Sequence, residues 1–410
     1  MAGSIVGPST ASAAAVPIAS IAANVTSYAL LLAAAHVMTE ANYGTLSSLL
    51  GLLLIASVPM LALQTVAARR TAADEGVAGV VRGTVVLAAW TTAIFAAASP
   101  LVALFLHLHS PVAVLVVAAT VPLTAVLGAA MGVAQGRRNF RRLAWLILMT
   151  TGGRSLGGIA GLAVRHSPVA TLVGILTGTA AAAAVAVASG RHATRLRRDA
   201  FQRASAGVVL EAVHAGHAHS AFLLLTSLDV LLARHVLSPT AAGVYGVGSV
   251  ISRAALWLPQ SLVTLMFASL AERGAQRSTA RRATLAVAGV GLLVVAGTAA
   301  LGPLVVTVVG GSKYAQLNAT AWLFALLGAL LALMQLSVLA GLAQRRVRRT
   351  VLLWCTAAAD IVVVLSAGHA TPTRVVVTLV SVAAVAACLA VVITLRQQAE
   401  PAPTDTLSPL

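Results

Sequence analysis

Charged side chains fall inside several long apolar stretches of this chain, where they could bind ions or an ionic substrate. They are Arg154, Asp229, Arg234, Arg253 and Asp360. A charge at the centre of a bilayer costs about 2.5–3.5 kcal/mol on insertion scales, so it needs an opposite partner, a wet cavity or a route to the interface. A guanidinium in such a cavity can bind a phosphate group, whereas a carboxylate can carry a coupling proton.

Asp229 and Arg253 are expected to lie at one depth in the membrane. Asp229 lies about eight residues before the outer end of one apolar stretch, and Arg253 about nine residues after the start of the next. At 1.5 Å per residue both lie roughly 12–14 Å below the outer helix ends, so adjacent antiparallel helices could bring them together. They could form a structural ion pair, or a substrate or coupling-proton site. Arg234, near the outer end of its stretch, could snorkel to the interface or bind the substrate.

Arg154 lies at the centre of another apolar stretch, within the sequence Gly-Gly-Arg-Ser-Leu-Gly-Gly. Gly153, Gly157 and Gly161 form a stripe of small residues that lets another helix approach closely, so Arg154 is expected to face protein or a cavity rather than lipid. Asp360 falls within one turn of the equivalent position in the second half of the chain. One hypothesis makes Arg154 an anion clamp and Asp360 a coupling carboxylate, and the other makes them a structural pair.

Uncharged polar residues and prolines mark further positions inside the apolar stretches. Asn24, Gln64 and Gln260 are expected to form interhelical hydrogen bonds or to line a cavity. Pro59 and Pro259 occupy matching places in the two halves and are expected to kink their helices, because proline cannot donate the helical backbone hydrogen bond. Bent helices at matching places suit two lobes that rock against each other.

The chain that positions these residues is very apolar. Its 410 residues are 59% hydrophobic and only 9% charged, whereas a soluble domain carries roughly 25% charged residues. A spanning helix needs about 20 apolar residues, and twelve stretches meet that requirement. Their approximate bounds are 13–38, 45–67, 77–97, 112–134, 143–164, 169–189, 211–236, 244–270, 283–307, 318–343, 350–367 and 375–395. The predicted fold is an all-α integral membrane protein with twelve transmembrane helices.

Two halves of the chain read alike. Gly132-Val-Ala-Gln135 precedes four arginines and Trp145, and about 200 residues later Gly341-Leu-Ala-Gln344 precedes four arginines and Trp354. Such a duplication predicts two six-helix lobes, as in transporters that bind a substrate between repeats. The predicted divisions are an N-terminal lobe over 1–189, a basic cytoplasmic connector over 190–210, a C-terminal lobe over 211–396 and a disordered cytoplasmic tail over 397–410.

The positions of the basic residues indicate the orientation of the chain. Every second connection between predicted spans is basic, and these connections hold most of the 27 lysines and arginines. By the positive-inside rule, both termini face the cytoplasm. The same rule, with contact to anionic lipid headgroups, accounts for the net charge of +17. Nucleic acid is not an expected partner, because the arginines lie between apolar runs and form no basic domain.

Signatures of enzymes and metal sites are missing from the sequence. It contains no phosphate loop and no HExxH, GxSxG or paired CxxC pattern. The extracytoplasmic connections are too short to hold an active site. His214 and His217 share a helical face but have no carboxylate or thiolate at ligand spacing, so no metal site is expected. We therefore expect a multi-pass membrane protein that is not an enzyme and needs no cofactor.

Several of these residues together resemble the polysaccharide biosynthesis family of lipid-linked oligosaccharide flippases. That family belongs to the multidrug/oligosaccharidyl-lipid/polysaccharide (MOP) exporter superfamily, with the multidrug/toxin extrusion (MATE) antiporters and the lipid II flippase. The residues that carry the resemblance are Ser227 to Pro239, Gly243-Val-Tyr245, Arg253 and Leu258-Pro259 in the second half, and Tyr43-Gly44, Pro59, Gln64 and Arg69-Arg70 in the first.

The resemblance implies a protein of the cytoplasmic membrane that flips a polyprenyl-diphosphate-linked oligosaccharide by alternating access, for cell-surface polysaccharide biosynthesis. Arg253, Arg154 and Arg234 would then offset the diphosphate charge in a wet central cavity. The implied partners are the glycan lipid, membrane lipids, and glycosyltransferases and a polymerase of the same pathway. Asp229 and Asp360 keep open an ion-coupled exporter of drugs and toxic compounds. A third alternative is a membrane scaffold of envelope assembly without transport.

Overall fold

The computed structural model describes residues 10–74, 78–190, 205–270, 276–343, 348–366 and 371–397, and every regular element in these ranges is a helix. The first helices are α1 (Thr10–Val37), α2 (Glu40–Ala56), α3 (Val58–Ala72), α4 (Ala78–Phe105), α5 (Val112–Gly136), α6 (Phe140–Val164) and α7 (Pro168–Gly190). They are followed by α8 (Ser205–Val236), α9 (Pro239–Leu270), α10 (Gln276–Ala300), α11 (Gly302–Gly310), a 3-10 helix (Ser312–Leu317), α12 (Ala321–Ala343), α13 (Arg348–Ser366) and α14 (Pro372–Gln397).

Eight helical segments of the described chain are long and apolar enough to cross a membrane. This agrees with the all-α membrane fold predicted from composition. Every predicted span overlaps a helix of the structure, and α2 and α3 together fill the second span. Twelve spans were predicted, and eight segments of the described chain meet the length and hydropathy requirement. The count of twelve and the duplication therefore stay predictions.

The chain forms two compact units that divide between Leu223 and Leu224. This boundary falls inside α8, later than the connector predicted over 190–210, whose residues 205–210 already belong to α8. The rest of that connector from 191, and the predicted tail from 398, lie outside the described residues.

The first half of α8 packs on the first unit, which explains where the boundary falls. Val208 of α8 lies against Gly83 of α4, and Gly216 of α8 lies against Ala62 of α3. Val208 also joins a hydrophobic cluster with Leu63 of α3. A glycine at each of these two contacts lets the helices approach closely.

The second predicted span is interrupted at Ser57, which ends α2 with φ −83° and ψ −3°. Pro59 then lies in the first turn of α3, where its missing N–H has no helical acceptor to lose. Helix α9 runs without a break from Pro239 to Leu270, so Pro259 lies within a continuous helix, and the kink expected there stays a prediction. A proline inside a membrane helix removes one hydrogen bond, and the helix can continue around it.

Glycines bring α6 and α7 together backbone to backbone. Gly157 of α6 lies against the carbonyl oxygen of Gly174, and Gly178 of α7 lies against that of Gly153. A Cβ atom at Gly157 or Gly178 would collide with the opposite backbone. The small-residue stripe predicted on α6 therefore packs against a matching stripe on α7, which the sequence analysis did not identify.

Candidate functional site

The second unit encloses four polar side chains, which we call the polar cluster: Asp229 of α8, Tyr245 and Arg253 of α9, and Asp360 of α13. Asp229 lies within electrostatic range of Arg253. Asp360 lies within electrostatic range of Asp229, and Tyr245 within range of all three charged groups. Three helices thus bring together residues that are more than a hundred positions apart in sequence.

Several polar atoms of the polar cluster are buried without a hydrogen-bond partner among the described residues. They are Oδ1 of Asp229, the Tyr245 hydroxyl, Nε and Nη2 of Arg253, and Oδ1 of Asp360. Asp229 and Arg253 lie near each other but form no direct ion pair within the described part of the chain. Each unsatisfied buried polar group costs about 1–3 kcal/mol, so a bound cation or polar ligand would relieve an unfavourable arrangement.

The two members of the polar cluster that belong to α9 lie on one face of that helix. Tyr245, Ser249 and Arg253 are four residues apart and therefore lie one above another on the helix. The Tyr245 ring is fully buried and packs edge-on against Phe324 of α12, with 5.2 Å between ring centroids and an interplanar angle of 68°. Because Gly248 has no side chain, the Phe324 ring can pack directly against its backbone. This packing fixes the direction of the Tyr245 hydroxyl.

The polar cluster carries two carboxylates and one guanidinium. Arg253 can offset one negative charge, and the second carboxylate then requires a further positive charge or a proton. Asp229 and Asp360 can therefore take up a cation together. Such buried carboxylates are typical of proton and ion pathways in membrane proteins.

Arg234 is buried, with 6% of its surface exposed. Snorkelling to the interface and substrate binding both stay predictions for Arg234. Residues 230–234 are all buried, so this turn of α8 is enclosed by protein on every side. The Arg234 side chain is therefore enclosed within the part of the chain that the structure describes.

Arg154 lies on the protein-facing side of α6, in the first unit. The stripe beginning at Gly153 contacts α7 on one side of it, and Gly158 contacts Leu30 of α1 on the other. The half-buried Arg154 side chain forms no ion pair or hydrogen bond with a described residue. Its guanidinium offers five N–H donors to a ligand. Asp360, its predicted structural partner, is grouped with Asp229 in the second unit.

The other predicted polar positions differ in their surroundings. Asn24 of α1 is exposed. Gln64 of α3 donates a hydrogen bond from Nε2 to Oε1 of Gln135 on α5 at 3.2 Å. This is an interhelical hydrogen bond, one of the two roles expected for Gln64. Gln260, and the cluster that includes His214, have side chains outside the described residues.

Sequence reasoning missed Tyr245 as a member of the site. The grouping of Asp360 with Asp229 was not predicted either, and the pairing of Asp360 with Arg154 stays a prediction. One signal was present: Tyr245, Ser249 and Arg253 recur every four residues on an otherwise apolar helix. That spacing predicts a polar face on α9.

No family model and no curated protein matches the sequence of this chain. Solved structures match its fold. An inward-facing multidrug resistance MATE family transporter of the MOP superfamily aligns over 92% of this chain and 94% of that chain, with 12% identity and a TM-score of 0.71. The lipid II flippase MurJ, in an inward closed conformation, aligns over 95% of this chain and 88% of that chain, with 10% identity and a TM-score of 0.73.

A MOP superfamily transporter from Pyrococcus furiosus also aligns, over 94% of this chain and 92% of that chain, with 14% identity and a TM-score of 0.57. The chain therefore has the fold of membrane transporters. More particularly, it has the fold shared by MATE transporters and MurJ. The resemblance noted from the sequence is confirmed at this level, and the neighbours include both a drug transporter and a lipid flippase.

Proposed function

We propose that this chain is a secondary transporter that flips a polyprenyl-diphosphate-linked oligosaccharide across the cytoplasmic membrane by alternating access. The observation that carries this proposal is Arg154, a half-buried guanidinium between two packed helices with no acidic partner among the described residues. A buried, uncompensated positive charge is costly. A substrate that brings its own negative charge would compensate it during each transport cycle.

The diphosphate of a lipid-linked glycan has the chemistry that suits Arg154. A guanidinium binds phosphate oxygens with two parallel hydrogen bonds, and such charge-assisted bonds are stronger than neutral ones. Arg253 is a weaker candidate for this contact, because Asp229 and Asp360 lie in the same polar cluster. The two carboxylates would instead bind the cation whose movement drives transport.

The orientation and partners follow from the same proposal. Both termini would face the cytoplasm, because the basic connections alternate with apolar spans. The substrate would be made by cytoplasmic glycosyltransferases and used outside by a polymerase. The polyprenyl tail would stay in the bilayer while the diphosphate and sugar cross through water-filled protein.

The test is a flipping assay with the purified full-length chain in lipid vesicles. A fluorescent short-chain polyprenyl-diphosphate oligosaccharide is loaded, and its outer-leaflet fraction is followed with a membrane-impermeant quencher. Arg154→Gln should slow flipping at least about 10-fold, because a hydrogen bond to a charged group contributes about 1.5–3 kcal/mol. Arg165→Gln is the matched control, since Arg165 ends the same helix and is exposed.

Cells provide an independent readout of the same substitution. Arg154→Gln should decrease surface polymer and increase the intracellular pool of lipid-linked precursor, while Arg165→Gln should change neither. Normal flipping and normal precursor levels in the Arg154→Gln variant would refute the proposal.

The second candidate function is an ion-coupled exporter of cationic or amphipathic compounds. The observation that favours it is the grouping of Asp229 with Asp360 in the second unit. Under this alternative, Asp229→Asn and Asp360→Asn should each make cells sensitive to toxic organic cations, while Arg154→Gln leaves that resistance intact. If none of the three substitutions alters glycan flipping or drug resistance, the scaffold interpretation is favoured.

A further inference from the structure

Four arginines surround the connection between α5 and α6, and the proposed transport mechanism does not use them. We call this segment the arginine turn. The side chains of Arg137, Arg138 and Arg141 are exposed and that of Arg142 is half-buried. None of the four side chains pairs with an acidic group in the part of the chain that the structure describes. The turn therefore concentrates positive charge that the protein itself does not neutralise.

The backbone of the arginine turn holds an arginine in an unfavourable conformation. Arg138 has φ 54°, in the left-handed region that favours glycine. Its N–H donates to the Gln135 carbonyl at 3.0 Å, and the Asn139 N–H donates to that of Ala134 at 2.9 Å. In this helix-ending pattern the left-handed residue is usually glycine, and a residue with a Cβ atom costs roughly 1–2 kcal/mol more there. Asp74 and His107, which also follow helix ends, have the same conformation; at position 138 it sets the direction in which the arginine side chain leaves the turn.

The arginine turn is rigid as well as basic. Asn139 caps α6, because its Oδ1 accepts a hydrogen bond from the Arg142 N–H at 3.0 Å. On the other side, Gly136 lies directly against the Ala68 carbonyl of α3. Both helix ends are thereby fixed, so the stems of the four arginines leave the backbone from defined positions. A preorganised site loses less conformational entropy when it binds a ligand.

The arginine turn directly follows a helix that is long and apolar enough to span a membrane. Helix α5 is one of the segments apolar enough to cross a membrane and ends at Gly136. Trp145 lies one helical turn beyond Arg141 and is 37% exposed. Tryptophan is enriched at the boundary between headgroups and acyl chains. The arginine turn therefore suits the phosphate of a lipid headgroup, and Trp145 suits the adjoining acyl chains.

We propose that the arginine turn is a binding site for the phosphate group of an anionic membrane lipid, with Trp145 packing on the upper part of its acyl chains. Guanidinium groups bind phosphate oxygens through two parallel hydrogen bonds. The positive-inside effect requires basic residues only somewhere in a cytoplasmic connection. That effect requires no particular arrangement of the arginines, whereas the Asn139 cap and the neighbouring Trp145 give this turn a defined one.

The first experiment measures phosphatidylglycerol bound to the full-length protein in detergent, by native mass spectrometry. The double variant Arg137→Gln, Arg141→Gln should bind about 10–30-fold more weakly than the parent, because each basic residue near the surface contributes to attraction of anionic lipid. The matched control is Arg281→Gln, Arg282→Gln, which removes two exposed neighbouring arginines from α10. It should weaken binding by a clearly smaller factor, because Arg281 and Arg282 add only unspecific attraction and no paired hydrogen bonds to the phosphate. Equal losses in both double variants would overturn the proposal, since they would indicate unspecific attraction.

The second experiment uses Arg138→Gly, which separates binding from folding. Glycine relieves the left-handed backbone, so the unfolding midpoint should stay the same or rise, while phosphatidylglycerol binding should fall several-fold. A variant that binds as well as the parent would overturn the role of Arg138. This readout does not depend on transport, so it stands or fails separately from the proposed function.

The third arm identifies the source of the phosphate. Phosphatidylcholine should bind at least about 10-fold more weakly than phosphatidylglycerol, because its headgroup carries no net charge. Inorganic phosphate at millimolar concentration should not displace bound phosphatidylglycerol. Full displacement by inorganic phosphate would show a site for soluble phosphates and would overturn the assignment to lipid.

Discussion

Gly157 tests whether α6 and α7 meet backbone to backbone. A Cβ atom at this position would lie 3.0 Å from the Cα of Gly178 and closer still to the carbonyl oxygen of Gly174. Alanine has no rotamer that avoids the contact, so the two helices would have to separate by about 1 Å. A gap of that size forfeits about a quarter to a half of the dispersion energy of each contact along the stripe.

The expected change in the free energy of unfolding for Gly157→Ala follows from two opposing effects. Forcing an extra methyl group into a packed interface costs typically ~1–3 kcal/mol. Alanine is favoured over glycine inside a helix by roughly 0.5–1 kcal/mol. Gly157→Ala should therefore lower the free energy of unfolding by about 1–2 kcal/mol. Gly174→Ala should have a similar effect, and the two changes together should be less than additive because they disrupt one contact.

Gly152→Ala is the control on the same helix. A Cβ atom at Gly152 would meet no other atom within 4 Å, so only the helix preference acts there. Its free energy of unfolding should be unchanged or raised by up to ~1 kcal/mol. Thermal unfolding in detergent, followed by circular dichroism, measures both variants. If Gly157→Ala is as stable as Gly152→Ala, the two helices do not pack through this stripe.

Three further substitutions test individual contacts. Glu211→Gln should lower the unfolding midpoint at low salt, because Glu211 accepts hydrogen bonds from Arg70 at 3.1 and 3.0 Å. The difference should shrink above roughly 0.5 M salt, and a salt-independent loss would contradict an electrostatic origin. Tyr245→Phe should leave stability unchanged or slightly higher, since the buried hydroxyl has no described partner; a loss above ~1 kcal/mol would show that a partner exists. Gln64→Ala should cost about 0.6 kcal/mol through the lost hydrogen bond to Gln135, and a double-mutant cycle with coupling near zero would contradict that bond.

The positions of the helices could be predicted from the sequence, because each spanning helix must supply its own long apolar run. Pro59 also predicted an interruption that coincides with the end of α2 at Ser57. Pro259 lies within the continuous helix α9, so a kink there stays a prediction. The effect of a proline inside a membrane helix depends on whether neighbouring groups satisfy the released carbonyl. A sequence alone does not contain that information.

The contacts between helices could be predicted only in part. Gly153 and Gly157 predicted a close approach of some helix to α6, but not that the helix is α7. The sequence offered Asp360 as a coupling carboxylate or as a partner of Arg154, and it gave no sign that the packing of α13 groups Asp360 with Asp229. A helix that is apolar on all sides carries no signal for its rotation about its own axis. That rotation decides which buried charges meet, so the polar cluster required the structure.

Helix α8 belongs to both compact units and has no interruption along its 32 residues, a length of about 48 Å. If one unit moves against the other, this continuous helix must either bend near Leu223 or lose the contacts of its first half with α3. Bending stretches consecutive backbone hydrogen bonds, and losing these contacts separates Glu211 from Arg70 and uncovers Val208. In the alternating-access cycle proposed above, the stiffness of α8 would contribute to the activation barrier. A glycine substitution near Leu223 would make α8 more flexible and should alter the rate of that cycle, while no residue of the polar cluster is replaced.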